Sequence, residues 1–150
     1  MNLVPQKTQY ALRAVFELAR HFGNRPTKIA EIARTQAIPI RFLEVILNQL
    51  KQGGFVASQR GSDGGYYLVS NPAELTVGDV MRFLQGPLFT VSCMNGSARE
   101  RCALAGNCVF LPMWEKVAQA VSEVYDSTTL QSLVDQAKDK AATYVPGYAI

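Results

Sequence analysis

The chain has 150 residues, 48% hydrophobic and 18% charged, with a net charge of +3; this supports a self-contained core without disulfides and excludes a wholly disordered chain. No run approaches the roughly 20 apolar residues of a membrane span, and the opening Met1-Asn-Leu-Val-Pro-Gln-Lys-Thr8 lacks the apolar stretch of a signal peptide, so a cytoplasmic location is expected. The charge is uneven: residues 1–70 carry nine Lys or Arg against four acids, a net +5, and residues 71–150 carry six against eight, a net −2. A basic half joined to a mildly acidic one suits a polyanion-binding module with a regulatory or assembly part.

In chain order, Tyr10, Ala11, Ala14, Val15, Leu18, Ala19 and Phe22 form a doubled i, i+4 stripe, which predicts an amphipathic helix over Thr8–Phe22. Gly23-Asn24-Arg25-Pro26 stops it. Thr27 is expected to cap a short helix whose inner face is Ile29, Ile32 and Ala33. After a turn at Ala37-Ile38, Pro39 is expected at the first position of a third helix, where its missing N–H costs nothing. That helix runs to about Gln52 and ends at Gly53-Gly54.

At 100° per residue, Phe42, Leu43, Ile46, Leu47 and Leu50 gather on the inner side of the third helix. Arg41, Val45, Asn48 and Gln52 lie opposite, with Glu44 at the margin. These side chains can read base edges: Arg41 pairs with guanine, Asn48 with adenine, Glu44 with cytosine N4, and Val45 meets a thymine methyl. An ordinary polar helix face has a similar composition, so the residues after Gly54 decide between the two. Phe55–Arg60 and Tyr66–Val69 are β-prone, and Gly61-Ser-Asp-Gly-Gly65 between them makes a hairpin tip. Helix, short helix, turn, helix and Gly-tipped hairpin is the order of a winged helix-turn-helix, whose third helix enters the major groove. Arg60 sits at the root of the tip, placed for a narrow minor groove, and Gly64 and Gly65 allow close approach to phosphates.

Val77, Val80, Met81 and Leu84 then mark a short helix within Leu75–Leu84, and Gly86-Pro87 releases the chain into a segment holding every cysteine: Cys93, Cys102 and Cys108. Where thiols stay reduced, such a set is a metal-ligand group or redox switch more readily than a disulfide framework. Phe110, Trp114, Val117, Ala118, Val121, Val124 and Tyr125 mark a longer helix. Its near-heptad seam, Trp114, Val117, Val121 and Val124, is either a packing spine or a dimer interface. A dimer would let two reading helices engage a palindrome about 34–36 Å apart. Leu130, Leu133, Val134 and Ala137 form the inner face of a last helix to about Thr143, and Val145–Ile150 is expected to be a tail. The expected fold is mainly α, a winged helix-turn-helix with a long dimerisation helix and a small β-hairpin wing. It divides into a DNA-binding part over 1–86, a cysteine loop over 87–109, and dimerisation and C-terminal helices over 110–150 that form one compact unit with the first part.

Several ordered segments resemble the winged-helix Rrf-two family of bacterial regulators. They are Tyr10-Ala-Leu-Arg-Ala14, Ile29-Ala-Glu-Ile-Ala33, Phe42-Leu-Glu44, Leu50-Lys-Gln-Gly-Gly54, Leu75-Thr-Val-Gly-Asp-Val80 and, most specifically, the wing Arg60-Gly-Ser-Asp-Gly-Gly-Tyr66. The resemblance covers nearly the whole chain. It implies a homodimer on palindromic promoter DNA, with the long helix crossing its partner. It also implies that Cys93, Cys102 and Cys108 hold an iron–sulfur cluster, of 2Fe-2S or 4Fe-4S type, that controls operator binding. Whether this represses or activates depends on where the operator lies. Eight residues separate Cys93 from Cys102, a longer gap than is usual in the family, and five separate Cys102 from Cys108. Where relatives place a fourth ligand, this chain has Leu111 after the last cysteine and Gln9 in the first helix, so the fourth ligand is left open among Glu100, Gln9 of a partner subunit, a backbone group or an exogenous thiol. The single histidine, His21, reads as a surface or cap residue.

Zinc is a weaker reading of the cysteines, because structural zinc has four protein ligands, commonly in C-x-x-C pairs that are absent here. A metal-free thiol switch is another, with Arg99 and Arg101 favouring thiolate at Cys102. An enzyme is not expected, since no nucleophile elbow, P-loop or dinucleotide fingerprint occurs. A winged-helix protein-interaction module without DNA binding is disfavoured by the basic excess and the intact wing.

Overall fold

The computed structural model describes residues 3–143, so the expected tail at Val145–Ile150 lies outside the described residues. The elements in chain order are α1 (Gln6–Arg20), α2 (Ile29–Gln36), α3 (Ile40–Gln52), β1 (Val56–Gln59), β2 (Gly65–Leu68), α4 (Val77–Gln85), a 3-10 turn at Ser92–Met94, α5 (Gly96–Glu100), α6 (Leu111–Ser127) and α7 (Leu130–Thr143). This is the expected mainly α winged helix-turn-helix. The segment expected to be a cysteine loop contains a short helix, α5, besides the 3-10 turn.

The core forms where the apolar stripes of the first three helices meet. Ala11, Ala14, Val15 and Leu18 of α1 pack with Ile32 of α2 and with Leu43, Ile46, Leu47 and Leu50 of α3, all buried. Each fully buried Leu or Ile contributes about 1.5–3 kcal/mol of transfer free energy. Leu130 and Val134 of α7 join the same core, so the C-terminal helix returns to pack on α1. Backbone bonds fix that return: Val77 N–H donates to Thr128 O (2.9 Å) and Leu130 N–H to Leu75 O (2.9 Å).

Three expectations need correction. The helical wheel puts Phe42 on the inner face, but it is 51% exposed, because it stands at the edge of the groove between α1 and α3, where the Tyr10 ring, with centroids 6.4 Å apart, covers it only in part. Thr27 makes no side-chain cap, and Lys28 occupies the N-cap position of α2. Thr27 instead pairs with the wing: its N–H donates to Tyr66 O (2.7 Å) and its carbonyl accepts from Tyr66 N–H (2.8 Å). Pro39 is the N-cap residue of α3, its ψ of 129° still extended, one position before the helix proper.

The hairpin pairs antiparallel, with Val56 opposite Leu68 and Gln59 opposite Gly65. Val56 and Leu68 point into the core, and Thr27 extends the pair as a third, single-residue strand. In α4, Thr76 and Asp79 form a reciprocal capping box, with bonds of 3.1 Å in each direction.

Helix α6 is attached differently. None of its 17 residues is buried. Val121 and Tyr125 pack on a small second cluster built from Val77, Met81 and Leu88. Arg82 makes a bidentate pair with Asp126, both bonds 2.7 Å. This bond holds the Asp126 carboxyl below, and the Arg82 guanidinium above, its ordinary value. A Cβ on Gly78 would crowd the Asp126 carboxylate, so glycine here leaves room for the clasp with Arg82.

Candidate nucleic-acid interface and cysteine cavity

The outer face of α3 is assembled as its periodicity predicts. Arg41, Glu44, Val45, Asn48 and Gln52 are all exposed, while Leu43, Ile46, Leu47 and Leu50 hold the helix down from beneath. Arg41 carries no carboxylate partner among the described residues and lies 5.7 Å from the Phe42 ring centroid. Beside it, Gln6, Lys7, Tyr10, Phe42, Val45 and Ile46 line a groove of about 300 Å³ between α1 and α3. The face thus has an apolar flank edged by cations, with Arg13 stacked 5.7 Å from the Tyr10 ring. Lys51 Nζ donates to Ser58 Oγ (2.7 Å), tying the end of α3 to the wing.

The wing's glycines serve different ends. Gly61 (φ +110°) is exposed, at a backbone angle that L side chains rarely adopt. Gly64 is buried against the Gln59 and Arg60 backbone, and Gly65 (φ +147°) against the carbonyl of Thr27, so both make room for the hairpin's own chain. Arg60 comes directly after the last residue of β1, is exposed, and has no carboxylate partner among the described residues.

His21 is the C-cap residue of α1. Its Nε2 lies 3.3 Å from Glu17 Oε1 and 3.8 Å from Glu31 Oε1. Among the described residues these are the three His, Cys, Asp or Glu donors that fall within 4.8 Å of one another. Their charges are already matched. Glu17, 1% exposed, accepts from Gln36 Nε2 (2.7 Å) and Arg20 Nη1 (3.2 Å). Glu31 accepts from both terminal nitrogens of Arg25 (2.7 and 3.0 Å), which holds its carboxyl below the usual range. Two carboxylates against two guanidiniums leave no deficit for a cation to fill, and the network's work is to hold α2 on α1.

All three cysteines are free, Cys102 exposed and Cys93 and Cys108 half-buried. The 3-10 turn, α5 and the root of α6 bring them to one cavity of about 240 Å³, whose wall also includes Arg99, Leu111 and Glu115. The three sulfurs do not all lie within 4.8 Å of one another, whereas one tetrahedral zinc with bonds of about 2.3 Å would hold them about 3.8 Å apart. Soft thiolates spread round one cavity fit a multi-iron centre better than a single ion. Of the other expected donors, Gln9 donates to Val4 O (2.9 Å) in its own chain, and Glu100 is absent from the wall. Sequence reasoning misses Glu115. The one signal for it is its position four residues after Leu111, one helical turn along the same face.

The model of the Rrf2 family, described as iron-dependent transcriptional regulator, matches residues 4–136. The HTH-type transcriptional regulator CymR of Bacillus subtilis is 33% identical over 142 residues, covering 95% of this chain and 96% of that protein. Among solved structures, T. potens IscR superposes with a TM-score of 0.74 at 34% identity, over 97% of this chain and 93% of that one. CymR, the global cysteine regulator of B. subtilis, does so with a TM-score of 0.73 at 34% identity, over 91% and 98%. These relatives are transcription regulators and not enzymes. The match along the family model and the shared winged helix identify the chain as a member of the Rrf2 family of helix-turn-helix transcriptional regulators.

Proposed function

We propose that this regulator is a homodimer whose grip on palindromic promoter DNA is set by an iron–sulfur cluster bound at Cys93, Cys102 and Cys108. The observation that carries the reading is that all three cysteines line one cavity at the root of α6. A bound cluster would supply an oxidation-sensitive link among those three positions. The chain's own residues do the rest. Arg41, Glu44, Val45 and Asn48 on α3 read base edges, Arg60 enters the minor groove, and Gly61, Gly64 and Gly65 keep the wing slim against the backbone. Arg41 and Arg60, free of carboxylates among the described residues, are available to phosphates or guanine.

The dimer rests on α6, where Met113 and Val124 are 43% and 63% exposed, with Val109 and Phe110 just before the helix at 80% and 58%. An apolar row of this kind on a half-attached helix is an interface waiting for its partner. No described helix is long and apolar enough to cross a membrane, and cytoplasmic work on DNA is part of the proposal.

A second reading has its own support. Cys102 is exposed and shares one cavity with Cys93 and Cys108, so an oxidant can reach it and a second thiol stands near, an arrangement that suits a metal-free redox switch. Anaerobic purification with subsequent iron, sulfide and zinc analysis separates the two. The cluster reading expects brown protein with matched iron and sulfide, both lost in Cys102→Ala, and the ratio of iron to chain fixes the cluster type. Colourless metal-free protein that forms a disulfide on oxidation would establish the switch, and one zinc per chain would overturn both. In parallel, Arg60→Ala should weaken binding to DNA selected from random duplexes. Failure of the wild-type chain to select any duplex would overturn the DNA-reading assignment.

A further inference from the structure

The cavity that gathers the cysteines contains one further anionic donor. Beyond Cys93, Cys102 and Cys108, its wall holds one carboxylate, Glu115, and one cation, Arg99, and the remaining wall is glycine or apolar. Glu115 lies on α6 four residues after Leu111, so both project from the same side of the helix toward the cysteines. Glu115 is exposed and its carboxylate makes no hydrogen bond or ion pair with any described residue, unlike that of Asp126 further along the same helix, which is clamped by Arg82.

We propose that Glu115 is the fourth protein ligand of the iron–sulfur cluster, completing a set of three thiolates and one carboxylate. The inference rests on the cluster reading of Cys93, Cys102 and Cys108. A carboxylate oxygen is a harder donor than a thiolate, so the Glu115 position is the weakest of the four bonds to iron. It also makes the ligand set one unit more negative than a neutral fourth ligand would, and Arg99 in the same wall offsets that charge. The weakest bond therefore sits on α6 itself, whereas the three stronger ones hold the segment that precedes it.

The test uses the full-length chain purified under argon in thiol-free buffer, so that no added thiol can substitute for the missing ligand. Wild type, Glu115→Gln and Glu115→Cys are compared by visible circular dichroism and by the rate of iron loss to a chelator. Glu115→Gln should lose iron about ten-fold faster or more, with altered thiolate-to-iron bands. Glu115→Cys should hold the cluster at least as long as wild type, with bands shifted toward an all-thiolate centre. A Glu115→Gln protein matching wild type in both spectrum and iron loss would overturn the assignment while leaving the cluster intact. Wild-type protein without iron and sulfide would instead remove the cluster reading from which the inference starts.

Discussion

The reading head and the cysteine region are built on different terms. Residues of α1, α2, α3, α7 and the wing share one core in which Ala11, Val15, Ile32, Leu43, Leu47 and Leu130 have no exposed surface. From Phe89 to Thr129 no residue is buried. The head is therefore held by a closed core, while the cysteine segment has no buried residue and α6 is held by one small cluster and the Arg82–Asp126 clasp. Regions with few buried apolar contacts open at the lowest free-energy cost, and segments that respond to ligands come from that end of the range. A regulator needs both: a head stiff enough to present α3 in one orientation, and an attached region loose enough to be changed by a signal.

The sharpest way to expose the contrast is to remove matched bulk from each side. Leu47→Ala should lower stability by about 2–5 kcal/mol in denaturant unfolding, because it leaves a cavity in a closed core. Leu104→Ala, at a 59% exposed site in the cysteine segment, should stay within about 0.5 kcal/mol in the metal-free protein. Similar losses from both would mean that the two regions form one cooperative core. Next, Val124→Asp should leave the helical content of the head unchanged while sedimentation shows the assembly falling to monomers at micromolar concentration. A dimer that survives it would place the interface elsewhere. The smallest expected effect concerns the clasp between the regions. The Asp126 carboxyl is held below its ordinary value by Arg82, so the clasp's contribution is present above the unfolded carboxylate value, about pH 4, and is lost as pH falls through the lower folded value. Asp126→Asn should flatten that part of the acid dependence of stability, read by thermal melts. An unchanged acid limb would show that the bridge adds nothing measurable, as many exposed pairs do.

Legibility in the sequence divides along the same line. The stripe from Tyr10 to Ala19 and the set Leu43, Ile46, Leu47 and Leu50 record local periodicity answering to one core, and the helices they predict are present. Arg60 and the hairpin are legible because turn chemistry is local. Thr27 defeats a local reading because its backbone pairs with Tyr66, 39 positions along the chain, a contact that no local rule contains. Phe42 does so because a helical wheel gives direction but not whether a neighbouring element is there to cover it. Glu115 stays hidden because its relevance depends on which side of α6 turns toward the cysteines, and that is fixed by Gly78, Arg82 and Asp126 at the other end of the helix.

That distant fixation has a mechanical consequence. Helix α6 spans 17 residues, about 25 Å at 1.5 Å per residue. Its C-terminal end is clasped to α4 and runs through Thr128 into α7, while its N-terminal end begins at the cysteine cavity. It is a rod held to α4 along its C-terminal half, by Val121, Tyr125 and the Arg82–Asp126 clasp. A shift of a few ångströms among the cysteines would be delivered to the head as a small rotation passed through α4.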